Sequence, residues 1–235
     1  MTKTKPTHAT AQVLGTWSAV VGIALFFLAL LFSGFIPMPP PSLTQEQIVT
    51  TYQQDNTKIR IGMSLIMFSA LFLIPIVGVI SVQLKRIEGA TAVMANTQLV
   101  AGALNLVWFF ITGFFFLITA FRPDRPPELT YLMNDCAWFA LVLIWQPAFA
   151  QNLSIGFAIL GDKSEHPIFP RWVAYLNFWI SLIFVPASLM PFFKAGPFAW
   201  NGILAFWLPA TVFGIWFMVM VPMLLKAIKR QELEA

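Results

Sequence analysis

Charged residues make up only 10% of the 235 positions, whereas about a quarter of a soluble domain is Asp, Glu, Lys or Arg. With 58% hydrophobic residues there is too little polar surface to cover the apolar remainder, so a water-soluble fold is excluded. Cysteine occurs once, as Cys136, which rules out an internal disulfide framework. Histidine occurs twice, as His8 in the amino-terminal tail and His166 in a short loop. No pair of imidazoles therefore lies within a span to ligate haem, copper, zinc or iron, and neither a metal nor another cofactor is expected. The net charge of +4 is scattered over short loops, too dilute to follow a phosphate backbone, and nucleic acid is not an expected partner.

Long apolar sequence is what the chain has in quantity. About 30 Å of hydrocarbon at 1.5 Å per residue needs about 20 residues, and six stretches meet that length: 14–36, 61–84, 98–121, 132–160, 172–192 and 198–225. Each must be helical, because no water is present in the bilayer to satisfy free backbone amides. The expected fold is thus an all-α integral membrane protein, a six-transmembrane-helix bundle forming one polytopic domain over 1–235. The first run is longer than the apolar region of a leader peptide and no A-x-A-like site follows it, so it reads as a retained anchor. Six crossings put both termini on one side. Lys3, Lys5, Lys85, Arg86, Lys163, Arg171, Lys226, Lys229 and Arg230 share that side, against Lys58, Arg60, Arg122, Arg125 and Lys194 on the other. The richer side is expected to be the cytoplasmic face of a cell (inner) membrane.

The longest connection starts with the proline run Pro37 to Pro41 and continues as Ser42-Leu-Thr-Gln45, which reads as a serine N-cap followed by glutamine at the third helical position. A short helix is expected there with Leu43, Ile48, Val49 and Tyr52 on one face. It either lies along the outer membrane interface or packs on the bundle. Both outer hairpins open alike, Phe35-Ile-Pro-Met-Pro-Pro-Pro41 after the first span and Phe121-Arg-Pro-Asp-Arg-Pro-Pro127 after the third. Duplication would explain this, and so would the general fitness of proline to end helices.

Asp135 is the one ionisable residue well inside a span, where a charge costs ~2.5–3.5 kcal/mol at the midplane and less near the headgroups. Asn134 precedes it. Gln146 lies eleven residues on, about three turns along an unbroken helix, which puts it on the same face and makes that face inward. Arg122 and Arg125, a short loop earlier, are the expected cationic partners of Asp135; as a bland alternative, Asp135 caps or salt-bridges its helix while Gln146 only joins helices. Pro75, Pro147, Pro186 and Pro209 interrupt four spans and free the carbonyls of Leu71, Leu143, Leu182 and Ala205. In cavity-forming bundles such breaks present carbonyls to a ligand. Asn105, Gln151, Asn152 and Asn177 are amides at depth, able to orient a ligand or join helices but not to move protons. Around Gly196-Pro197, a tight turn entering the sixth helix, Lys194, Trp200 and Asn201 could hold an anion with the free amides of that helix start. Alternatively Lys194 snorkels and Trp200 belongs to the interfacial aromatic belt.

Three functions fit these observations. The favoured one is a bundle that binds or passes a hydrophobic or amphipathic small molecule through a kinked-helix cavity open towards the outer side, with Asp135, Asn134, Gln146, Arg122, Arg125, Lys194, Trp200, Asn201 and Asn105 as candidate ligand-binding residues. The second is an accessory or assembly subunit that packs against a larger membrane complex or a second copy of itself. The third is an integral-membrane enzyme on an apolar substrate with Asp135 as general acid or base; no other catalytic candidate stands out, and one carboxyl is a thin basis for catalysis. The charge census predicts that single cysteines placed in 37–41 react with an impermeant maleimide on intact cells and that a cysteine beyond Glu234 does not. The opposite pattern would reverse the orientation.

Overall fold

Six helical segments among the described residues are long and apolar enough to cross a bilayer, and in each the backbone pairs largely with itself, as hydrocarbon surroundings demand. In the computed structural model, which describes residues 7–234 with side chains over 9–234, the first span is α1 (Thr7–Phe32). A short α2 (Gln45–Gln54) follows, then α3 (Asn56–Glu88) and α4 (Val93–Phe121) as spans two and three. Span four consists of two helices, α5 (Pro127–Leu143) and α6 (Gln146–Gly161). Span five is α7 (Arg171–Phe184), prolonged by a 3-10 segment over Val185–Phe192, and span six enters through a π turn at Ile203–Trp207 before α8 (Leu208–Glu234). No strand occurs among the described residues. Lys3, Lys5, the side chain of His8 and Ala235 lie outside the described residues.

Consecutive spans are neighbours: α1 packs on α3, α3 on α4, α4 on α5 and α6, α6 on α7, and α7 on α8. Because α8 also packs on α1, the six spans close into a ring. Small residues let the first two approach closely, as in membrane bundles generally. A Cβ on Gly62 would stand 2.8 Å from the Ala29 carbonyl oxygen and 2.7 Å from the Ser33 Cβ, and the Ser18 hydroxyl donates to the Phe72 carbonyl at 2.8 Å.

Each end of the ring is tied differently. At the end where α1 begins and α8 finishes, the Gln83 amide donates to Gln12 at 2.6 Å and to Gln231 at 2.8 Å. Arg86 adds bonds to Gln83, to the Ala227 carbonyl and to Glu234, which joins α1, α3 and α8. Nearby, the loop after α6 is organised by Asp162, which accepts from the Ser164 amide and hydroxyl and from the Ile168 amide. Burial pushes its carboxyl up, but those bonds and the Arg230 charge outweigh burial and hold it below the ordinary aspartate range. At the α2 end the ties are aromatic: Trp138 stacks on Trp200 with centroids 6.0 Å apart and meets Phe116 and Phe35.

Several boundaries differ from the sequence expectation. Span one stops at Phe32 rather than Ile36, because Gly34 takes a positive φ of 78° and the Ser33 amide closes on the Ala29 carbonyl. The cap of α2 is Thr44, not Ser42: its hydroxyl accepts from the Gln47 amide while the Gln47 side chain accepts from the Thr44 amide. Ile48 and Tyr52 are buried, and α2 packs on α5. The two Phe-x-Pro hairpins are not equivalent, since Phe35 is buried in the aromatic cluster whereas Phe121 is exposed. Span six begins at Ile203 instead of near Phe198, because the chain over 197–202 is a turn in which the Pro197 carbonyl accepts from the Leu204 and Ala205 amides.

Gly62→Leu is predicted to separate α1 from α3 and to destabilise the protein by ~1–3 kcal/mol, the usual range for overpacking. Thermal unfolding in detergent followed by circular dichroism measures it, and an unchanged midpoint would show that this contact does not hold the helices together.

Candidate functional site: a cavity at the break in span four

Span four is 35 residues long, and its helix is interrupted about midway. Pro147 supplies no amide for the turn before it, so α5 ends at Leu143 and α6 starts at Gln146. An interrupted helix leaves unpaired carbonyls at the end of its first half, which is costly inside a bilayer. Here they find partners locally. The Trp108 indole N–H, from α4, donates to the Ala140 and Leu141 carbonyls at 2.9 and 3.0 Å. The Leu143 carbonyl accepts from the Trp145 amide and from the Gln146 side chain. Leu182, below Pro186, is likewise taken up by the Val185 amide. The proline-freed carbonyls of Leu143 and Leu182 are thus consumed by the protein itself.

Beside this break the helices line a partly open cavity of about 140 Å3. Its wall is mostly apolar and rich in aromatic rings, with Phe26, Phe109, Phe213 and Phe217 among them. Phe26 lies edge-on to Phe109 at 5.3 Å and to Phe213 at 6.0 Å, the geometry that aromatic quadrupoles favour. No ionisable side chain borders the cavity among the described residues.

Polar character is confined to one region. Asn105 on α4 donates to the Gln151 side-chain oxygen on α6 at 2.7 Å, and Asn152 stands next to it on the cavity wall. Asn152 is 5% exposed, and its side-chain amide has no hydrogen-bond partner among the described residues. Gly102 makes room for this group, since a Cβ there would stand 2.9 Å from the Gln151 amide nitrogen and 2.5 Å from Val77. The fourth deep amide, Asn177, holds the wall: its oxygen accepts from the Trp216 indole at 2.9 Å and its nitrogen donates to the Val173 carbonyl.

Of the candidate residues read from the sequence, Asn105 borders this cavity and the others lie elsewhere. Gln146 is exposed, because the interruption before it breaks the helical register that would have aligned it with Asp135. Arg122 and Arg125 form no ion pair with Asp135 among the described residues. Arg125 instead donates to the Ile118 and Arg122 carbonyls at the end of α4, where a cation meets the negative end of the helix, and Arg122 lies over the Phe121 ring. Lys194 is exposed, and the amides at the start of span six, expected to be free for an anion, are occupied by the Pro197 carbonyl. The Asn201 carbonyl accepts from the Trp207 indole, and the Trp200 indole donates to the Pro39 carbonyl at 2.9 Å.

Asn134 does structural work at the α2 end. Its side-chain oxygen accepts from the Tyr52 hydroxyl and from the Trp138 indole, both at 3.1 Å, which fastens α2 to α5. Burial pushes the Tyr52 phenol far above its ordinary range, a bond with Thr119 works against this, and the Asp135 charge adds to it. Tyr52 therefore stays a donor.

The sequence signals that would have pointed to the cavity are the tryptophans at depth. An indole N–H in hydrocarbon needs an acceptor, and Trp108, Trp145 and Trp216 all border the cavity. No protein-family model, curated protein or solved structure matches this chain.

Asn134→Leu strands two buried donors, each worth ~1–3 kcal/mol when left unpaired, so the thermal midpoint should fall well below that of Asp135→Asn measured alongside. Equal midpoints would show that Asn134 is not the fastening point.

Proposed function

We propose that this multi-pass membrane protein binds a hydrophobic or amphipathic small molecule in the cavity ringed by its six spans. The observation that supports the reading is the pairing of an uncharged, aromatic-rich wall with a single amide cluster whose Asn152 side chain has no hydrogen-bond partner among the described residues. Ligand sites in proteins have that composition: mostly apolar surface, with a few polar groups that fix orientation. Discontinuous helices at mid-depth are where membrane bundles build them.

Access is from the α2 end, which the charge census places outside. The halves of spans five and six near α2 contain a 3-10 segment and a π turn, backbone forms that occur at hinges and functional sites. The opposite end is held by the Gln12, Gln83, Gln231 and Arg86 bonds, so opening there would break a polar network. In this orientation α2 lies along the outer interface and both termini are cytoplasmic. Asp135 and Lys194 then belong to the mouth rather than the binding chamber.

A second reading is favoured by α7, where Trp172, Tyr175, Trp179 and Leu182 are all exposed and share one helical face. That face suits a lipid belt or a membrane-protein partner, and occupancy of the cavity separates the two functions.

Ala148 borders the cavity, and Ala148→Phe would fill it. Protein purified in mild detergent and extracted with organic solvent should release a small molecule in the native form and at least about tenfold less in Ala148→Phe at equal folded fraction, with stability changed by no more than ~1–3 kcal/mol. Equal recovery from both would contradict the cavity as the binding site.

A further inference from the structure

Resting on the cavity reading, we infer a class of ligand: a neutral alcohol whose hydrocarbon body lies against the aromatic-rich wall and whose hydroxyl both donates to and accepts from the amides of Asn105, Gln151 and Asn152.

Neutrality follows from the wall. A charge among apolar groups at mid-depth requires an opposite charge or a dense set of hydrogen bonds, and no ionisable side chain borders the cavity among the described residues. Size follows from the volume. A cavity of about 140 Å3 is close to that of an engineered protein cavity that accepts benzene, so a body of about one six-membered ring fits and any further length leaves through the open side. Such a body covers the apolar wall, Phe26, Phe109 and Phe213 included, and its polar group is left to meet the amides.

The hydroxyl follows from what the amides leave unpaired. Asn105 donates to the Gln151 side-chain oxygen at 2.7 Å, which uses one donor and one acceptor. Left over are the Asn105 oxygen, the Gln151 NH2 and both ends of Asn152, none with a hydrogen-bond partner among the described residues. All three residues border the cavity. Their unpaired atoms keep accessible surface, in contrast to the Trp145 indole nitrogen, which is sealed off. Free donors and free acceptors therefore stand side by side. The mixture survives rotation of the amides, because turning Asn105 and Gln151 together exchanges their roles and turning Asn152 exchanges its own two ends. A hydrocarbon leaves all of these groups unmatched, and a ketone or ether, which can only accept, leaves the oxygens so. A hydroxyl is the smallest group that serves both, with one donor and two acceptor lone pairs. Water has the same two-sided chemistry but cannot also cover the apolar wall.

The test uses three probes built on one six-membered ring: cyclohexanol, cyclohexanone, which only accepts, and cyclohexane. Their dissociation constants for the intact protein and for Ala148→Phe and Asn152→Leu are measured by ligand-detected NMR in one detergent, each corrected for the probe's partition into protein-free micelles. At about fivefold for each net hydrogen bond, cyclohexanol is expected to bind about fivefold more tightly than cyclohexanone and at least about tenfold more tightly than cyclohexane. Ala148→Phe should weaken all three. Asn152→Leu should weaken cyclohexanol at least about fivefold and leave cyclohexane binding intact, which also shows that the variant is folded. The order of the probes in the native protein is decisive without that variant. If cyclohexanone or cyclohexane binds as tightly as cyclohexanol and Ala148→Phe weakens them, the cavity reading stands and the alcohol inference is overturned. A preference for cyclohexanol that Asn152→Leu leaves unchanged overturns the assignment of the hydroxyl to these amides. Absence of any binding that responds to Ala148→Phe overturns the cavity reading together with it.

Discussion

The requirement that every backbone polar group in hydrocarbon be paired within the protein governs this structure, and the interruption of span four is where meeting it is hardest. Pro147 removes an amide at mid-depth, and the chain between Leu143 and Gln146 leaves the helix. The consequences run outward from there. Trp108 is drawn from α4 to the Ala140 and Leu141 carbonyls, which fixes the spacing of spans three and four. With α5 and α6 no longer sharing one register, the face that carries Gln151 and Asn152 turns towards the ring interior while Gln146 turns out.

The two ends of the bundle divide the remaining tasks. Glutamines on α1, α3 and α8, together with Arg86 and Glu234, make a polar lock at the end where α1 begins and α8 finishes. The α2 end is closed by aromatic stacking and by the Asn134 oxygen that Tyr52 and Trp138 share. Aromatic contacts are less directional than a hydrogen-bond network, and spans five and six lose regular α geometry on that side. The two ends of the bundle are thus held by different kinds of contact, a hydrogen-bond network at one and aromatic packing with a shared amide oxygen at the other.

The number of spans and the helical class were legible because hydrocarbon thickness and backbone pairing leave few alternatives to a run of about 20 apolar residues. The position of the helix breaks was partly legible: Pro147 does mark the interruption, whereas Pro75 lies within an unbroken α3. The site was harder to read. Asp135 draws attention as the one acid within a span, yet the polar part of the cavity wall is the amides Asn105, Gln151 and Asn152, which carry no charge and leave no periodic trace. Asn105, Gln151 and Asn152 were visible as deep amides, but that they meet depends on how α4 and α6 pack. The capping box was recognised as a pattern and placed two residues early, since Ser42 and Thr44 offer the same chemistry and only the turn after Pro41 decides between them.

Whether the interruption at Ile144 and Trp145 creates a ligand chamber is decided by an experimental density map of the protein purified from its native membrane without added ligand, at a resolution that shows side chains. Non-protein density is expected at mid-depth, in contact with Asn152 and Gln151 and beside the rings around Phe26. A span four that continues as an unbroken helix through Trp145, or a chamber filled by protein side chains, would contradict this expectation.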